Sequence, residues 1–340
     1  MGPLIVCSWI YLLALVGYVF WVRLDLERPW WLQALAPFAL WVFGLGLGLP
    51  LLAALVGSGL LRGVPLLLGT ALYWAHFVAR PRPRRPAQEE DDPVLRVMTA
   101  NLLDKNRRHA EIIATIRHEC PDLIALQELN PAQVRALTQA LTDEYPYQWF
   151  LPGPETPVPG RSEGMGLMSR YPFQPLGVVQ VDPLANPAQV IALDVQGRFL
   201  DVLHMHPRIP LPRFRRVLGI AWPYGLDDSE RERDVRALSH CAEQLGAEAI
   251  ILGDMNATDQ CREYRLLTKG WRDVYRQVGR GLGLTYPVDA DFFGLRCPWP
   301  LFRIDYVLIR GHLYAMEAHV GRLPGSDHRY VVADLSWPCR

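Results

Sequence analysis

Net charge is what this chain most lacks. Its 35 lysines and arginines are balanced by 35 acidic residues, and among the former only Lys105 and Lys269 are lysine. Charge is scarcest in residues 1–80, which hold Arg23, Arg28, Arg62, Arg80, Asp25 and Glu27 and no others. From Pro81 onward 31 basic residues face 33 acidic ones, a formal charge of −2. A nearly neutral domain argues against a protein that coats DNA electrostatically, because that affinity comes from excess cationic charge. The arginine bias suits bidentate phosphate contact, but a GC-rich genome produces the same bias and is the simpler cause. Cysteine offers no framework either. Cys7, Cys120, Cys241, Cys261, Cys297 and Cys339 show no CxxC spacing, so no disulfide scaffold is legible. Cys120 and Cys241 fall in helical patterns, where cysteine acts as a small buried hydrophobe.

The first eighty residues carry long apolar runs instead. Residues 3–22 contain no charge and reach the roughly 20 residues needed to span a bilayer. Residues 30–61 are apolar too, interrupted by Pro37, Pro50 and Gly57-Ser58-Gly59, and 64–79 form a shorter run. We expect three spanning helices, at 3–22, 32–55 and 60–79. Trp21, Trp30, Trp31, Tyr73 and Trp74 lie near their ends, where interfacial aromatics gather. A cleaved signal peptide would begin with a basic region, and Met1-Gly2-Pro3 has none. A buried hairpin of a soluble protein is disfavoured by the length of the runs. With three spans, Arg23, Arg28, Arg80, Arg82, Arg84 and Arg85 share a side with the rest of the chain. The positive-inside rule makes that side cytoplasmic; contact of the same arginines with anionic headgroups is the alternative. Residues 81–93, rich in proline, arginine and acid, read as a semi-rigid linker. The expected organisation is an anchor at 1–80, a linker at 81–93 and a separate domain at 94–340.

From Val94 short apolar strands alternate with helical stretches. Residues 94–100 read as a strand ending at Asn101, and 109–119 as a helix with Ile112, Ile113 and Ile116 on one face. Residues 122–127 form a nearly continuous apolar run, the mark of a central strand covered on both sides, and deliver Glu128 at its end. A second helix follows at 132–141, then short strands at 164–169 and 177–181. Residues 190–195 and 199–205 read as a hairpin about Gln196-Gly197. A helix at 229–245 and strands at 249–252, 304–309 and 330–335 complete the pattern. Strands interleaved with helices, some paired as hairpins, fit an α/β fold of two packed mixed sheets flanked by helices. An open parallel sheet is the weaker alternative.

Three short segments carry chemistry: Gly253-Asp254-Met255-Asn256, Ile304-Asp305-Tyr306 and Asp327-His328. Each lies where a strand meets a loop, the place where a rigid scaffold presents reactive groups. Cleaving a phosphate ester takes a divalent cation, a base that positions water, and donors for the phosphoryl oxygens. Hard cations such as Mg²⁺ prefer carboxylate and amide oxygens, and Asn101, Glu128, Asp254, Asn256 and Asp327 supply these at strand ends. His206 and His328 are candidate phosphoryl donors, and a carboxylate such as Asp305 would keep a neighbouring histidine protonated. His204 lies two residues before His206 on the same strand face and rivals it; the His206-Pro207 step favours His206. Read one at a time, Asn101 is a turn cap, Asp254-Asn256 an Asx turn and Glu128 a solvated carboxylate.

Seven segments occur here in one order: Val97-Met98-Thr99-Ala100-Asn101; Pro121-Asp122 through Gln127-Glu128; Met168-Ser169-Arg170-Tyr171-Pro172; His206-Pro207; Gly253-Asp254-Met255-Asn256-Ala257; Ile304-Asp305-Tyr306-Val307; and Gly325-Ser326-Asp327-His328-Arg329. In that order they resemble the endonuclease/exonuclease/phosphatase family, which includes DNase I-like nucleases, abasic-site endonucleases, sphingomyelinases and inositol-polyphosphate phosphatases. The resemblance covers residues 94–337 and implies a four-layer α/β sandwich and a hydrolase of phosphoester bonds dependent on Mg²⁺ or Mn²⁺. It implies Glu128 as main metal ligand with Asn101 and Asp327 nearby, and Asp254 as the residue that orients or deprotonates water. It further implies Asn256 as a phosphate or water positioner, His206 and His328 as phosphate-stabilising histidines, and Asp305 as the partner of His328.

Together these readings describe a phosphoesterase anchored in a bacterial-type cytoplasmic membrane as a multi-pass integral protein. Its expected partners are the lipid bilayer and a phosphorylated, lipid-linked substrate. Bacterial family members with similar N-terminal helices resemble glycopeptide-resistance membrane proteins, which implies a polyprenyl-phosphate-type substrate and an extracytoplasmic site. That expectation disagrees with the charge-based orientation. A membrane-tethered nuclease is the first alternative: the arginines and aromatics of 207–228 suit stacked nucleotides or a membrane interface and make that segment the candidate substrate-choosing element, against the equally weighted reading of a packed proline-rich loop with solvated arginines. A non-catalytic module binding a phospholipid or partner is the second, disfavoured because every acidic and histidine position of the pattern is present.

Overall fold

The computed structural model describes residues 2–24, 29–56, 60–79, 94–151, 164–217, 220–227, 229–292 and 295–338. The expected linker at 81–93 lies outside them. The chain forms two compact units, one of Met1–Pro81, Pro212–Leu226 and Gln260–Arg262, the other of Arg82–Leu211, Asp227–Asp259 and Glu263–Arg340.

The first unit begins with α1 (Gly2–Leu24), α2 (Trp30–Leu35), a 3₁₀ turn at Ala36–Phe38, α3 (Ala39–Gly46), α4 (Gly48–Leu55) and α5 (Leu60–Tyr73), which ends in a π turn at Trp74–Val78. Tyr11, Leu15, Tyr18, Phe43 and Phe77 form its core. Much of the apolar surface stays outside, with Ile10, Leu13, Phe20, Leu45, Leu52 and Leu67 exposed. Exposed apolar area of this extent marks a surface meant for something other than water. Gly2–Leu24 and Trp30–Leu55 are long and apolar enough to cross a membrane. The third expected span contains only the shorter apolar helix Gly63–Val78. Residues 207–228, read from sequence as a proline-rich loop, largely form a hairpin (Leu211–Val217 and Ile220–Asp227), whose central residues belong to this unit.

The second unit runs β1 (Val94–Asn101), α6 (His109–Glu119), β2 (Leu123–Leu129), α7 (Pro131–Leu141), β3 (Tyr147–Leu151), β4 (Gly164–Ser169), β5 (Phe173–Val179), β6 (Ala188–Val195) and β7 (Arg198–Met205). After the hairpin strands, β8 and β9, come α8 (Ser229–Gln244), β10 (Ala249–Asp254), α9 (Arg262–Leu267), β11 (Arg272–Asp273), α10 (Val274–Val278), β12 (Ala290–Phe292), β13 (Leu295–Cys297), β14 (Asp305–Arg310), β15 (Tyr314–Arg322) and β16 (Arg329–Ser336). One sheet has the order β15-β16-β1-β2-β4-β3 and the other β11-β14-β10-β7-β6-β5.

Side-chain alternation of period two builds the layers. Leu95, Val97, Leu123 and Ala125 of the first sheet meet Ile191, Val202, Ile250 and Leu252 of the second in one core. Met98, Ala100, Ile124 and Leu126 point the other way, onto Ile112 and Ile116 of α6 and Val134 and Leu137 of α7. Leu203, Met205, Ile251 and Leu308 pack likewise onto Val235 and Leu238 of α8. The result is the four-layer α/β sandwich expected from the sequence. The edge strand expected at 177–181 runs from Phe173 to Val179 instead. Cys120, expected to be buried, is exposed at the left-handed end of α6.

Each sheet has a parallel pair at its centre, β1 with β2 and β10 with β7. β16 and β14 flank these pairs in antiparallel sense. The carboxyl ends of the parallel strands and the amino ends of the antiparallel neighbours therefore open on one rim.

Candidate active site

That rim collects the residues singled out from the sequence. Asn101 ends β1, Glu128 lies near the end of β2, Asp254 ends β10, and His206 follows β7 by one residue. Asp305 opens β14, where it pairs across the ladder with Asp254. His328 stands one residue before β16.

Local backbone aims them. β2 carries a bulge against β4 between Leu126 and Leu129, and Glu128 within it has φ of +54°. A bulge re-aims a side chain at the end of a ladder, here bringing the carboxylate to the rim. Asn256 has φ of +49° and Leu103 of +61°; non-glycine residues in this region are uncommon and gather at functional sites. Gly253 has φ of +145°, and a Cβ there would collide with the Met205 carbonyl oxygen. The Gly253-Asp254 step thus needs glycine so that β10 can lie close against β7.

The carboxylates converge on one amide. Asn101 Nδ2 donates to Glu128 Oε1 at 2.7 Å and to Asp254 Oδ2 at 3.2 Å. Its Oδ1 accepts from Leu103 N at 3.1 Å, so in this geometry Asn101 presents a donor, not an oxygen, to the site. Asp254 Oδ1 accepts from Asn256 N at 2.8 Å, and Asn256 Nδ2 donates to Pro207 O at 2.9 Å.

Two histidines close the ring. His206 Nε2 lies 3.6 Å from Asp254 Oδ2 and 3.9 Å from Glu128 Oε1. Asn186 Nδ2 donates to the His206 carbonyl at 2.9 Å, which fixes the orientation of that amide, and the same nitrogen lies 3.3 Å from His206 Nδ1. Nδ1 is then the acceptor, and the proton sits on Nε2, facing the carboxylates. His328 Nε2 lies 3.7 Å from Asp254 Oδ2, while its Nδ1 contacts Asp305 Oδ2 at 3.0 Å. Burial would depress the His328 imidazolium, but the charges of Asp305 and Asp254 outweigh it and raise its pKa to about 10. Burial first, then the charge of Asp305, push Asp254 upward; the charge of His328 pulls it part of the way back.

His204 does not reach this ring. It is fully buried between the sheets, with Nε2 2.7 Å from Gln127 Nε2 and Nδ1 3.0 Å from Gln189 Oε1. Gln127 donates and Gln189 accepts, so the ring is neutral with its proton on Nδ1. Burial above all lowers its pKa to about 3. Two residues of spacing put both histidines on one strand face; the end of β7 at Met205 separates interior from rim.

Asp327 lies beside the ring, its Oδ1 buried with no hydrogen-bond partner among the described residues. Burial raises its pKa, and Glu128 and Asp254 add to the rise against the pull of His328. A buried carboxylate oxygen without a partner calls for an unseen cation, proton or water. Carboxylate oxygens are the donors that Mg²⁺ and Mn²⁺ prefer, and Glu128 and Asp327 are of that chemistry, although Asp327 is in neither group of converging ligand atoms among the described residues. Two groups among the described residues bring ligand atoms within 4.8 Å of one another: Glu128, His206 and Asp254, and Asp254, Asp305 and His328.

Several contributors have no role legible in the sequence, although Ser326 and Tyr306 lie inside its motifs. Ser326 Oγ donates to Asn101 O at 2.7 Å and accepts from His328 N at 3.0 Å, tying the two sides of the rim together. The Tyr286 ring lies 4.7 Å from that of His328. Tyr306, on the face opposite Asp305, donates to Ala257 O at 3.0 Å, so the Asp305-Tyr306 pair serves the histidine on one side and the Asp254–Asn256 loop on the other. Arg303 is buried over the Tyr306 ring at 4.6 Å and bonded to Asp273 at 2.8 Å.

A four-layer sandwich with acidic and histidine side chains gathered where its two sheets meet defines a phosphoesterase/nuclease class of fold. The chain belongs to the Endonuclease/Exonuclease/phosphatase family, whose model matches residues 97–328. Family members are generally metal-dependent hydrolases of phosphoester bonds. Solved structures share the fold. An endonuclease/exonuclease/phosphatase from Beutenbergia cavernae is 23% identical with a TM-score of 0.52, over 72% of this chain and 72% of that one. D. rerio TDP2, solved with a single-strand DNA product, is 18% identical with a TM-score of 0.53, over 72% of this chain and 100% of that one. An endonuclease/exonuclease/phosphatase from Bacteroides vulgatus is 15% identical with a TM-score of 0.51, over 72% and 99%. No curated protein matches the chain.

Proposed function

We propose that the chain is a membrane-anchored, divalent-metal-dependent phosphoesterase that hydrolyses a phosphate ester or anhydride of a lipid-linked substrate. The observation that carries the catalytic part is the placement of His206 and His328 at 3.6 and 3.7 Å from the same Asp254 oxygen, with Glu128 alongside. A scissile phosphoryl group seated there meets a buried base and two N–H donors at once.

Asp254 orients the attacking water and takes its proton; burial and Asp305, which raise its pKa, make it a better base. His328, held as the imidazolium by Asp305, donates from Nε2 to a phosphoryl oxygen as charge builds on it. His206 donates from Nε2 across from it, with Asn186 holding its tautomer. Asn256 steadies the Asp254 loop and borders the water's position. Glu128 and Asp327 would hold Mg²⁺ or Mn²⁺, with the Asn101 amide bracing the Glu128 carboxylate; the ion when bound supplies Lewis-acid charge to the phosphoryl and leaving oxygens. The lipid part of the reading rests on the two long apolar helices: an anchored enzyme and an anchored substrate share a surface.

A nuclease is the second reading, because TDP2 with its single-strand DNA product has the same fold. The formal charge of −2 from Pro81 onward weighs against it. The test is full-length protein in detergent with Mg²⁺ or Mn²⁺, given a phospholipid, sphingomyelin, a polyprenyl diphosphate, an inositol phosphate and plasmid DNA, with Asp254→Ala as blank. Phosphate or headgroup released from a lipid and lost in the blank supports the reading. Cleavage of DNA alone replaces it with a tethered nuclease, and silence on all five leaves a non-catalytic binding module.

A further inference from the structure

A second feature adjoins the site. A groove of about 620 Å³ runs from Asp327 between Arg108, Arg296 and Arg322. Its floor is held by Asn106, which is buried and donates from Nδ2 to Leu102 O at 3.1 Å and Pro324 O at 3.0 Å. Asn106 Oδ1 accepts from Arg108 N at 3.0 Å, which sets the start of that side chain. Gly325, with φ of +82°, leaves room for the Asn106 amide; a Cβ there would strike its oxygen. The opposite wall is tied in by Val288 N, which donates to Asp327 O at 2.7 Å.

Two of the three guanidinium groups have acidic neighbours in the same groove. Arg322 pairs with Asp289, and Arg108 lies 3.5 Å from Glu111. Both arginines are mostly exposed, and exposed pairs of this kind contribute little because water screens them, so an incoming anion exchanges them at little cost. Arg296 is exposed and makes no ion pair or hydrogen bond among the described residues. Three planar guanidinium groups around one preformed groove match the oxygens of a phosphate better than those of a monoanion or a neutral sugar.

We propose that this groove takes a second anionic phosphate of the substrate while the scissile one sits against Asp254, His206 and His328. This rests on the phosphoesterase reading and narrows it: the substrate carries two phosphates, as a diphosphate or as a doubly phosphorylated headgroup. A substrate with a single phosphate leaves the groove unused.

Binding of non-hydrolysable probes tests this without turnover. Full-length protein in detergent at fixed free Mg²⁺ is titrated calorimetrically with methylphosphonate, methylenediphosphonate and propane-1,3-bisphosphonate. One bisphosphonate should bind about tenfold or more tightly than methylphosphonate, the scale of one charge-assisted contact. Arg296→Gln should remove about that factor for the bisphosphonate and leave methylphosphonate unchanged; Arg322→Gln, on another stretch of chain, serves as a second variant should the first misfold. Tighter binding of the short probe assigns a diphosphate, and of the long one separated phosphates. Equal binding of all three probes, or an equal loss for mono- and bisphosphonate in Arg296→Gln, overturns the proposal. Failure of the phosphoesterase reading is seen separately, as probe binding with no turnover of any substrate.

Discussion

His328 Nδ1 and Asp305 Oδ2 stand 3.0 Å apart, and the same Asp305 is the cross-strand partner of Asp254. One carboxylate therefore charges the histidine on one side and raises the pKa of the base on the other. The two effects are linked by a single ladder position between β10 and β14.

The first prediction follows from that linkage. Asp305→Ala and His328→Ala should each lower kcat/KM by about 10²- to 10⁴-fold on whichever substrate is turned over. The double variant should be no worse than the worse single one, because groups acting as a unit are not additive. Losses that multiply in the double variant would show that the pair does not act together.

The second concerns the cation. With its unpartnered Oδ1, Asp327 is a carboxylate that an ion would satisfy. Adding Mg²⁺ to chelator-treated protein should raise the unfolding midpoint, with a gain near 2.7 kcal/mol at about 100 times the dissociation constant. Glu128→Gln should abolish most of that rise, as read by a thermal melt with and without Mg²⁺. A rise of equal size in the variant would remove Glu128 from the ligand set.

The third uses His204. Its folded-state pKa, about 3, lies below its ordinary 6.5, so below pH 6.5 the unfolded chain binds a proton that the folded one does not. Stability therefore falls as pH drops from 6.5 towards 3, by up to roughly 1.4 kcal/mol per pH unit from this residue. Denaturant unfolding between pH 7 and 5 should show a shallower loss in His204→Gln than in the wild type. An unchanged slope would mean that another group governs acid sensitivity.

The fourth is a backbone effect. Gly253→Ala combines φ of +145° with a collision against the Met205 carbonyl, and should cost about 2 kcal/mol or more. Midpoint shifts in urea measure it, and a loss below about 0.5 kcal/mol would show that β10 and β7 adjust easily.

Much of this site was legible because its chemistry sits at strand ends within short motifs. Asn101, Glu128, His206, Asp254, Asp305 and His328 all come to one rim from segments that the sequence marks by apolar runs bounded by a polar residue, at the end of the run for the first four and at its start for Asp305 and His328. Period-two spacing gives His204 and His206 the same face, so the choice of His206 rests on the His206-Pro207 step alone; in the structure the strand's end at Met205 distinguishes them. Tyr286 and Asn186 gave no signal because they act through loop contacts between distant segments, and Ser326, inside a motif, gave no hint of its bond to Asn101. The same holds for the groove, whose Arg108, Arg296 and Arg322 lie in three separate stretches of chain. Cys120 illustrates the opposite error: its helical pattern is real, but the residue occupies the left-handed position after the last turn, where the helix no longer covers it.

Asn101 and Glu128 belong to one sheet and Asp254 to the other, and at the rim the Asn101 amide bridges their carboxylates. The centre is thus a seam rather than a pocket carved in one rigid body. Warming that lets the sheets slide slightly against each other parts the seam while both ladders are still intact. Heat should silence this protein several degrees before it melts it.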